Sequence, residues 1–154
     1  MHLLVISVGN KLSPWENDGI NYYLKQIKND INIDFINIKS QQNPKRSKSE
    51  VIKLETELIL KKIPQNSFVI SWDMMGESIS SENLSQLFRS SMQKNIKICF
   101  VIGGSFGLGT EIIKSSNKVF SASDFTFPHR LFRIILVEQI YRALSIIKNT
   151  PYHK

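Results

Sequence analysis

The residues best suited to chemistry lie in the last third of the chain. A strand-like run, Ile98-Cys99-Phe100-Val101-Ile102, opens into Gly103-Gly104-Ser105-Phe106-Gly107-Leu108-Gly109. Further on comes Ser121-Ala122-Ser123-Asp124-Phe125-Thr126-Phe127-Pro128-His129-Arg130, and after a long apolar helix the sequence closes with Pro151-Tyr152-His153-Lys154. Two loops rich in backbone donors thus accompany a stretch that is polar, aromatic and basic. These ingredients suit a polar cofactor held beside an anionic substrate. No serine or cysteine sits in a nucleophile elbow, and no pair of carboxylates suggests glycoside chemistry. A site here needs a substrate that brings its own nucleophile and a cofactor that brings its own electrophile.

Each motif has a second reading. The glycine segment lacks the G-x-G-x-x-G spacing and follows a late strand, so it is not a dinucleotide fingerprint, and the Walker pattern is absent. Taken alone it is a tight strand-to-helix connection or a ligand loop. Asp73 is a ribose-binding carboxylate or a turn residue. Phe125-Thr126-Phe127-Pro128 is a lid over an adenine-like ring or a loop packed on the core. Phe125, Phe127 and Tyr152 can stack on nucleobases, a sequence-tolerant way to hold RNA. Tyr152-His153 stands out because chain ends are usually polar and without order.

These segments need a frame, and the rest of the chain supplies it. Its 154 residues predict one domain, 1–154, with enough length to bury a core unaided. Leu3–Val8 reads as a buried strand and not a signal peptide. Ser13-Pro14-Trp15-Glu16 carries the marks of a helix start. Ile31 to Ile38 alternates like a half-buried strand, and Ser40 to Ser49 reads as a mobile polar loop. Val51, Leu54, Leu58 and Leu60 mark a helix face. Ser67–Trp72 is the next strand, which the chain leaves at Asp73-Met74-Met75-Gly76. A helix from Ser80 to about Lys94, strand Ile96–Ile102, a short helix Glu111–Ser116 and strand Lys118–Ala122 follow. The last helix, Pro128 to about Lys148, shows Leu131, Ile134, Ile135, Tyr141, Leu144 and Ile147. This alternation predicts an α/β fold with a mostly parallel sheet and flanking helices. Such sheets bind ligands at the carboxyl ends of their strands, where Trp72-Asp73, Gly103-Gly104 and Ala122–Phe127 all fall.

Composition sets further bounds. With 42% hydrophobic and 21% charged residues the chain is ordinary for a globular protein, and no apolar run approaches a membrane span. The expected compartment is the cytoplasm. Cys99, the lone cysteine, reads as a buried hydrophobe, and His2, His129 and His153 have no ligand spacing, so no metal site is expected. A net charge of +7 favours an anionic partner. The basic residues gather at Lys45, Arg46 and Lys48 and again at Arg130, Arg133, Arg142, Lys148 and Lys154. Each cluster is a nucleic-acid contact or a solvated face.

Val101-Ile102-Gly103-Gly104, Thr126-Phe127-Pro128-His129, Arg133, Glu138-Gln139-x-Tyr141-Arg142-Ala143 and Pro151-Tyr152-His153 together resemble the ribosomal RNA large subunit methyltransferase H family, of the SPOUT class. Length, strand order, Val8-Gly9 and the Asp-x-x-Gly at Asp73 to Gly76 match as well. The resemblance implies an α/β fold with a C-terminal trefoil knot, a homodimer, and transfer of a methyl group from S-adenosyl-L-methionine to N3 of a pseudouridine in large-subunit (23S) ribosomal RNA. It implies cofactor contacts at Trp72, Gly103, Ala122, Ser123, Asp124, Phe125, Thr126 and Phe127. Trp72 replaces a leucine of the family pattern. His153 is the candidate proton acceptor, with Arg133 or Arg142 stabilising charge on the base and Tyr152 orienting it. Two rivals remain: a non-catalytic ribosome-binding or assembly factor on the same fold, and a flavodoxin-like enzyme. The second needs a phosphate loop where the chain has only Gly9-Asn10-Lys11-Leu12-Ser13.

Overall fold

Five parallel strands and five helices alternate along residues 1–154, all of which the structure, a computed structural model, describes. The strands are β1 (His2–Val8), β2 (Asn32–Ile38), β3 (Ser67–Ser78), β4 (Lys97–Ile102) and β5 (Lys118–Ser121). Their order in the sheet is β2-β1-β4-β3-β5. The helices are α1 (Pro14–Ile27), α2 (Lys48–Leu60), α3 (Ser81–Gln93), α4 (Thr110–Ser115) and α5 (His129–Lys148).

The central strands read as continuous apolar runs because both faces are covered. Successive side chains point to opposite faces, so each run feeds two cores. Leu3, Val5, Ile98, Phe100 and Ile102 join Ile27, Phe88, Leu136 and Ile140 under α1, α3 and α5. Leu4, Ile6, Cys99 and Val101 join Ile59 and Ile112 under α2 and α4. Each fully buried large side chain contributes about 1.5–3 kcal/mol.

Local signals fix the helix starts. At α1 the Ser13 backbone N–H and hydroxyl both donate to Glu16, at 3.2 and 2.9 Å. At α2 Ser47 and Glu50 bond reciprocally, 3.2 and 2.8 Å, which closes the loop after β2 at Ser47, two residues earlier than expected. At α3 the Ser80 hydroxyl accepts from the Asn83 N–H at 3.1 Å. Each cap satisfies N–H groups that no helical carbonyl can reach.

Three expectations are corrected. First, β3 does not end at Trp72 but runs through Asp73-Met74-Met75-Gly76 to Ser78, with a register shift against β5 so that Phe120 pairs with both Trp72 and Glu77. Gly76 permits this, since a Cβ there would lie 2.6 Å from the Phe120 carbonyl carbon. Second, the buried face of α2 is Val51, Glu55, Thr56 and Ile59, while Leu54, Leu58 and Leu60 are half-buried. Third, α5 buries Arg133, Leu136, Val137, Ile140, Ala143 and Leu144; Ile134, Ile135, Tyr141 and Ile147 flank that stripe and Leu131 is exposed. In both helices polar side chains, Glu55 and Arg133, occupy inward positions that an apolar count passes over.

Candidate active site

Because every strand runs the same way, the loops after β3, β4 and β5 leave from one edge of the sheet. They enclose a crevice of about 680 Å³, completed by the first turn of α5. Of the expected cofactor contacts, Trp72, Gly103, Ala122, Ser123, Phe125, Thr126 and Phe127 line it. Asp124 is exposed and lies outside the lining. Three segments remote in sequence thus meet as the parallel-sheet reading requires.

The glycine segment forms the floor by folding back on itself. Gly107 takes φ +80° and its N–H donates to the Gly104 carbonyl at 3.0 Å. A Cβ on Gly103 would sit 2.7 Å from the Gly107 carbonyl carbon, so the two backbones approach as only glycine permits. The β5 loop is held in a similar way. Ser121 donates to the Ser123 carbonyl at 3.2 Å, and the Ser123 hydroxyl accepts from the Phe125 N–H at 2.9 Å. Asp73 is a turn residue as well as a wall residue: its carboxylate accepts the Met75 N–H at 2.9 Å. Met75, Phe125 and Met74 stand 92%, 80% and 65% exposed at the rim.

Trp72 is the one large polar-tipped side chain in the back wall. Its indole packs against Phe100, Phe120 and Phe132 with centroids 5.5–6.1 Å apart, and its buried Nε1 has no hydrogen-bond partner. A roomy cleft with backbone walls, a glycine cradle and an orphaned indole donor fits a polar ligand carrying a ring system.

Behind the crevice lies an ionic group. Glu16 is wholly buried, with Arg130 at 3.1 Å and Arg133 at 3.5 Å. Arg133, expected to face substrate, is instead 3% exposed at the start of the core stripe of α5 and outside the crevice lining. Burial alone would raise the Glu16 pKa. The Ser13 hydrogen bonds and the charges of Arg133 and Arg130 outweigh it and hold the carboxyl below its ordinary value. Burial, then repulsion from Arg133 and Arg130, lowers the pKa of His129, which lines the crevice beside this group. His129 stood in the sequence motif without a role. The partial burial of His129 and the packing of Arg133 and Arg130 beside it, which lower its pKa, have no local sequence signal.

Arg142, Tyr152 and His153 form a second cluster that does not line the crevice. Arg142 donates to Glu138 through Nε (3.0 Å) and Nη2 (2.6 Å), and the Tyr152 hydroxyl donates to the same oxygen at 2.9 Å. The Arg142 guanidinium lies 4.8 Å from the Tyr152 ring centroid. His153 Nε2 lies 2.9 Å from Glu82 Oε1 and its Nδ1 3.4 Å from Arg142. Burial and the Glu138 bond raise the Tyr152 pKa, so its hydroxyl stays a donor. Burial pushes the Cys99 thiol up to about 12, which leaves it inert. No three His, Cys, Asp or Glu side chains gather in a metal-holding group, and no helix is long and apolar enough to cross a membrane.

Known proteins bear the same pattern. Residues 1–153 match the model of the family described as "Predicted SPOUT methyltransferase". Ribosomal RNA large subunit methyltransferase H of Legionella pneumophila (strain Paris) is 40% identical over all of this chain and 99% of its own length. The protein of that name from Clostridium botulinum (strain Hall) is 40% identical over the full length of both. Among solved structures, a probable methyltransferase from Bordetella pertussis superposes with a TM-score of 0.59 at 11% identity, covering 92% of this chain and 95% of that one, a likeness of fold. The chain belongs to the ribosomal RNA large subunit methyltransferase H family of SPOUT methyltransferases.

Proposed function

We propose that the crevice binds S-adenosylmethionine and that the chain transfers its methyl group to N3 of a pseudouridine in 23S ribosomal RNA. The observation that carries this reading is the backbone-walled crevice at the ends of β3, β4 and β5, with its floor at Gly103. When bound, the donor supplies a methyl already activated on a sulfonium, so the protein needs position and dryness more than covalent chemistry. The turn from Gly103 and the loop Ala122–Phe127 offer backbone groups to the adenosine. Trp72 and Phe120 offer apolar area, and the buried indole N–H behind it has no protein partner. Asp73 gives the wall a negative charge suited to a cation. Met74, Met75 and Phe125 are placed to shield the reacting atoms once RNA covers the rim.

The pseudouridine N3–H must lose its proton. His153 is the proposed acceptor, Tyr152 the orienting group and Arg142 the cation facing developing charge on the base. Arg133 acts as a positioning residue, holding the wall at His129 with Glu16. Because the tail cluster lies outside the crevice of its own subunit, the reading includes a homodimer in which one tail completes the partner's site. It also includes the trefoil knot that the family resemblance implies; the order β4-β3-β5, which carries the chain past β3 between β4 and β5, is compatible with it.

The test is mass spectrometry of 23S rRNA nucleosides from cells with and without the gene. Loss of one N3-methylpseudouridine, restored by complementation, is expected. An unchanged nucleoside profile overturns the reading.

A further inference from the structure

We infer that the loop after β2, from Lys39 to Ser47, together with Lys48 at the start of α2 and Phe106, is the track along which the RNA strand flanking the target nucleotide enters the crevice. This inference rests on the methyl-transfer reading and adds a location and an approach direction to it.

The geometry begins with the sheet. In a parallel sheet the segment after β2 leaves from the same edge as the loops of the crevice. Phe106 joins the two. It lines the crevice on one side, and on the other it lines a smaller hollow with Gln42, Asn43, Pro44, Arg46 and Val51. Lys48 Nζ stands 5.8 Å from the Phe106 ring centroid. One aromatic side chain, 38% exposed, is therefore shared by the crevice and the basic loop.

The charge is uncompensated. Lys39, Lys45, Arg46 and Lys48 are all exposed, and none takes part in an ion pair. The one carboxylate between Lys39 and Glu50 is Glu50 itself, occupied by the Ser47 N–H at 2.8 Å. By contrast Arg130, Arg133, Arg142 and Lys148 each have a carboxylate partner. Of the two basic clusters in the sequence, only the first is left largely free to meet phosphates.

The loop backbone that carries these cations is held in place, and the Arg46 guanidinium with it. Arg46 Nη1 donates to the Gln41 carbonyl at 2.9 Å, the Lys45 N–H to Asn43 Oδ1 at 2.9 Å, and the Arg46 N–H to the Asn43 carbonyl at 2.9 Å. On the buried face of α2, Val51 lines the hollow of the loop, and one turn on the Glu55 carboxyl oxygens lie 3.3 and 3.4 Å from where a Cβ on Gly104 would be. Gly104 is crevice wall, so loop and crevice share a buried support. A row of cations on an ordered loop, ending at a partly exposed ring, is an arrangement that holds a single strand. Phosphates meet the cations and a base stacks on the ring.

The test uses a fluorescent RNA hairpin with a pseudouridine in its loop, read by anisotropy across a salt series. S-adenosylmethionine calorimetry is run on the same samples. The triple variant Lys45→Ala/Arg46→Ala/Lys48→Ala should bind the hairpin at least tenfold more weakly at low salt. Its slope of log affinity against log salt should fall by about 2, while donor affinity stays unchanged. The double variant Lys45→Ala/Lys48→Ala, which leaves the Arg46 bonds intact, should show the same trend with a smaller slope change. Phe106→Ala should weaken hairpin binding about tenfold, and Phe106→Tyr should restore it. Hairpin affinity and slope equal to wild type in the triple variant overturn the placement, as does wild-type protein without salt-dependent RNA binding. Absence of donor binding to wild type overturns the methyl-transfer reading instead.

Discussion

Helix α5 carries two arginine–carboxylate pairs of opposite character. Near its start, Arg133 meets Glu16 at 3.5 Å with both side chains essentially sealed from water, and Glu16 Oε2, Arg133 Nε and Arg133 Nη2 lack hydrogen-bond partners. Near its end, Arg142 meets Glu138 at 2.6 Å with 27% and 15% exposure, and Tyr152 and Gln139 complete the carboxylate. The first pair backs an open crevice; the second ties down a chain end. Under-satisfied buried polar groups are costly and cluster where a site needs a charged, rigid wall. Satisfied, half-exposed groups hold a shape with little at stake. The wall of the crevice was therefore built under constraint, whereas the tail is a preassembled unit that can be offered to another surface.

Truncating each carboxylate tests that contrast most strongly. Glu16→Ala should lower unfolding free energy by about 3–5 kcal/mol, because it strands a buried guanidinium. Glu138→Ala should cost only about 1–2 kcal/mol, since water can reach its partners. Urea unfolding of the two variants measures the difference, and equal losses would erase the distinction between the pairs.

Function should divide the other way. Tyr152→Phe/His153→Ala should reduce single-turnover methylation by about 100-fold or more while leaving donor affinity intact. Gly103→Ala should weaken donor binding at least tenfold, since its Cβ needs space held by the Gly107 backbone. Mixing the two defective proteins should restore methylation if the tail acts on the partner's crevice; a mixture as inactive as its parts argues for action within one chain.

The smallest effect is on pH. Glu16 and His129 both have folded pKa values below their ordinary 4.5 and 6.5. In each case the unfolded chain binds more protons, so stability rises with pH through the window just below the ordinary value. Stability should be fully present above pH 6.5 and fall in two steps, the His129 part first and the Glu16 part below 4.5. His129→Gln should remove the upper step only, as unfolding at pH 5, 6 and 7 would show.

Much of this was legible in the sequence because it is local. Apolar runs ending in glycine marked the strands, Ser13-Pro14 and Ser80 marked helix starts, and three strand-end segments were expected to meet. What escaped depends on packing between distant segments. The extension of β3 past Trp72 needs Gly76 to lie against Phe120, a contact that no window around Asp73 reveals. The place of Arg133 in the core follows from Glu16, more than a hundred residues earlier, and an arginine in an apolar stripe looks like a surface group until its partner is known. The separation of Tyr152 and His153 from the crevice is likewise a matter of where α5 ends in space.

The central claim is that the crevice at the ends of β3, β4 and β5 holds the methyl donor. A crystal structure of the protein with S-adenosylmethionine tests it most directly. The donor is expected over Gly103 and against the Ala122–Phe127 loop, with the Trp72 indole in its back wall. Donor density at the Arg142–Tyr152–His153 cluster, or none in the crevice at saturating concentration, would contradict it.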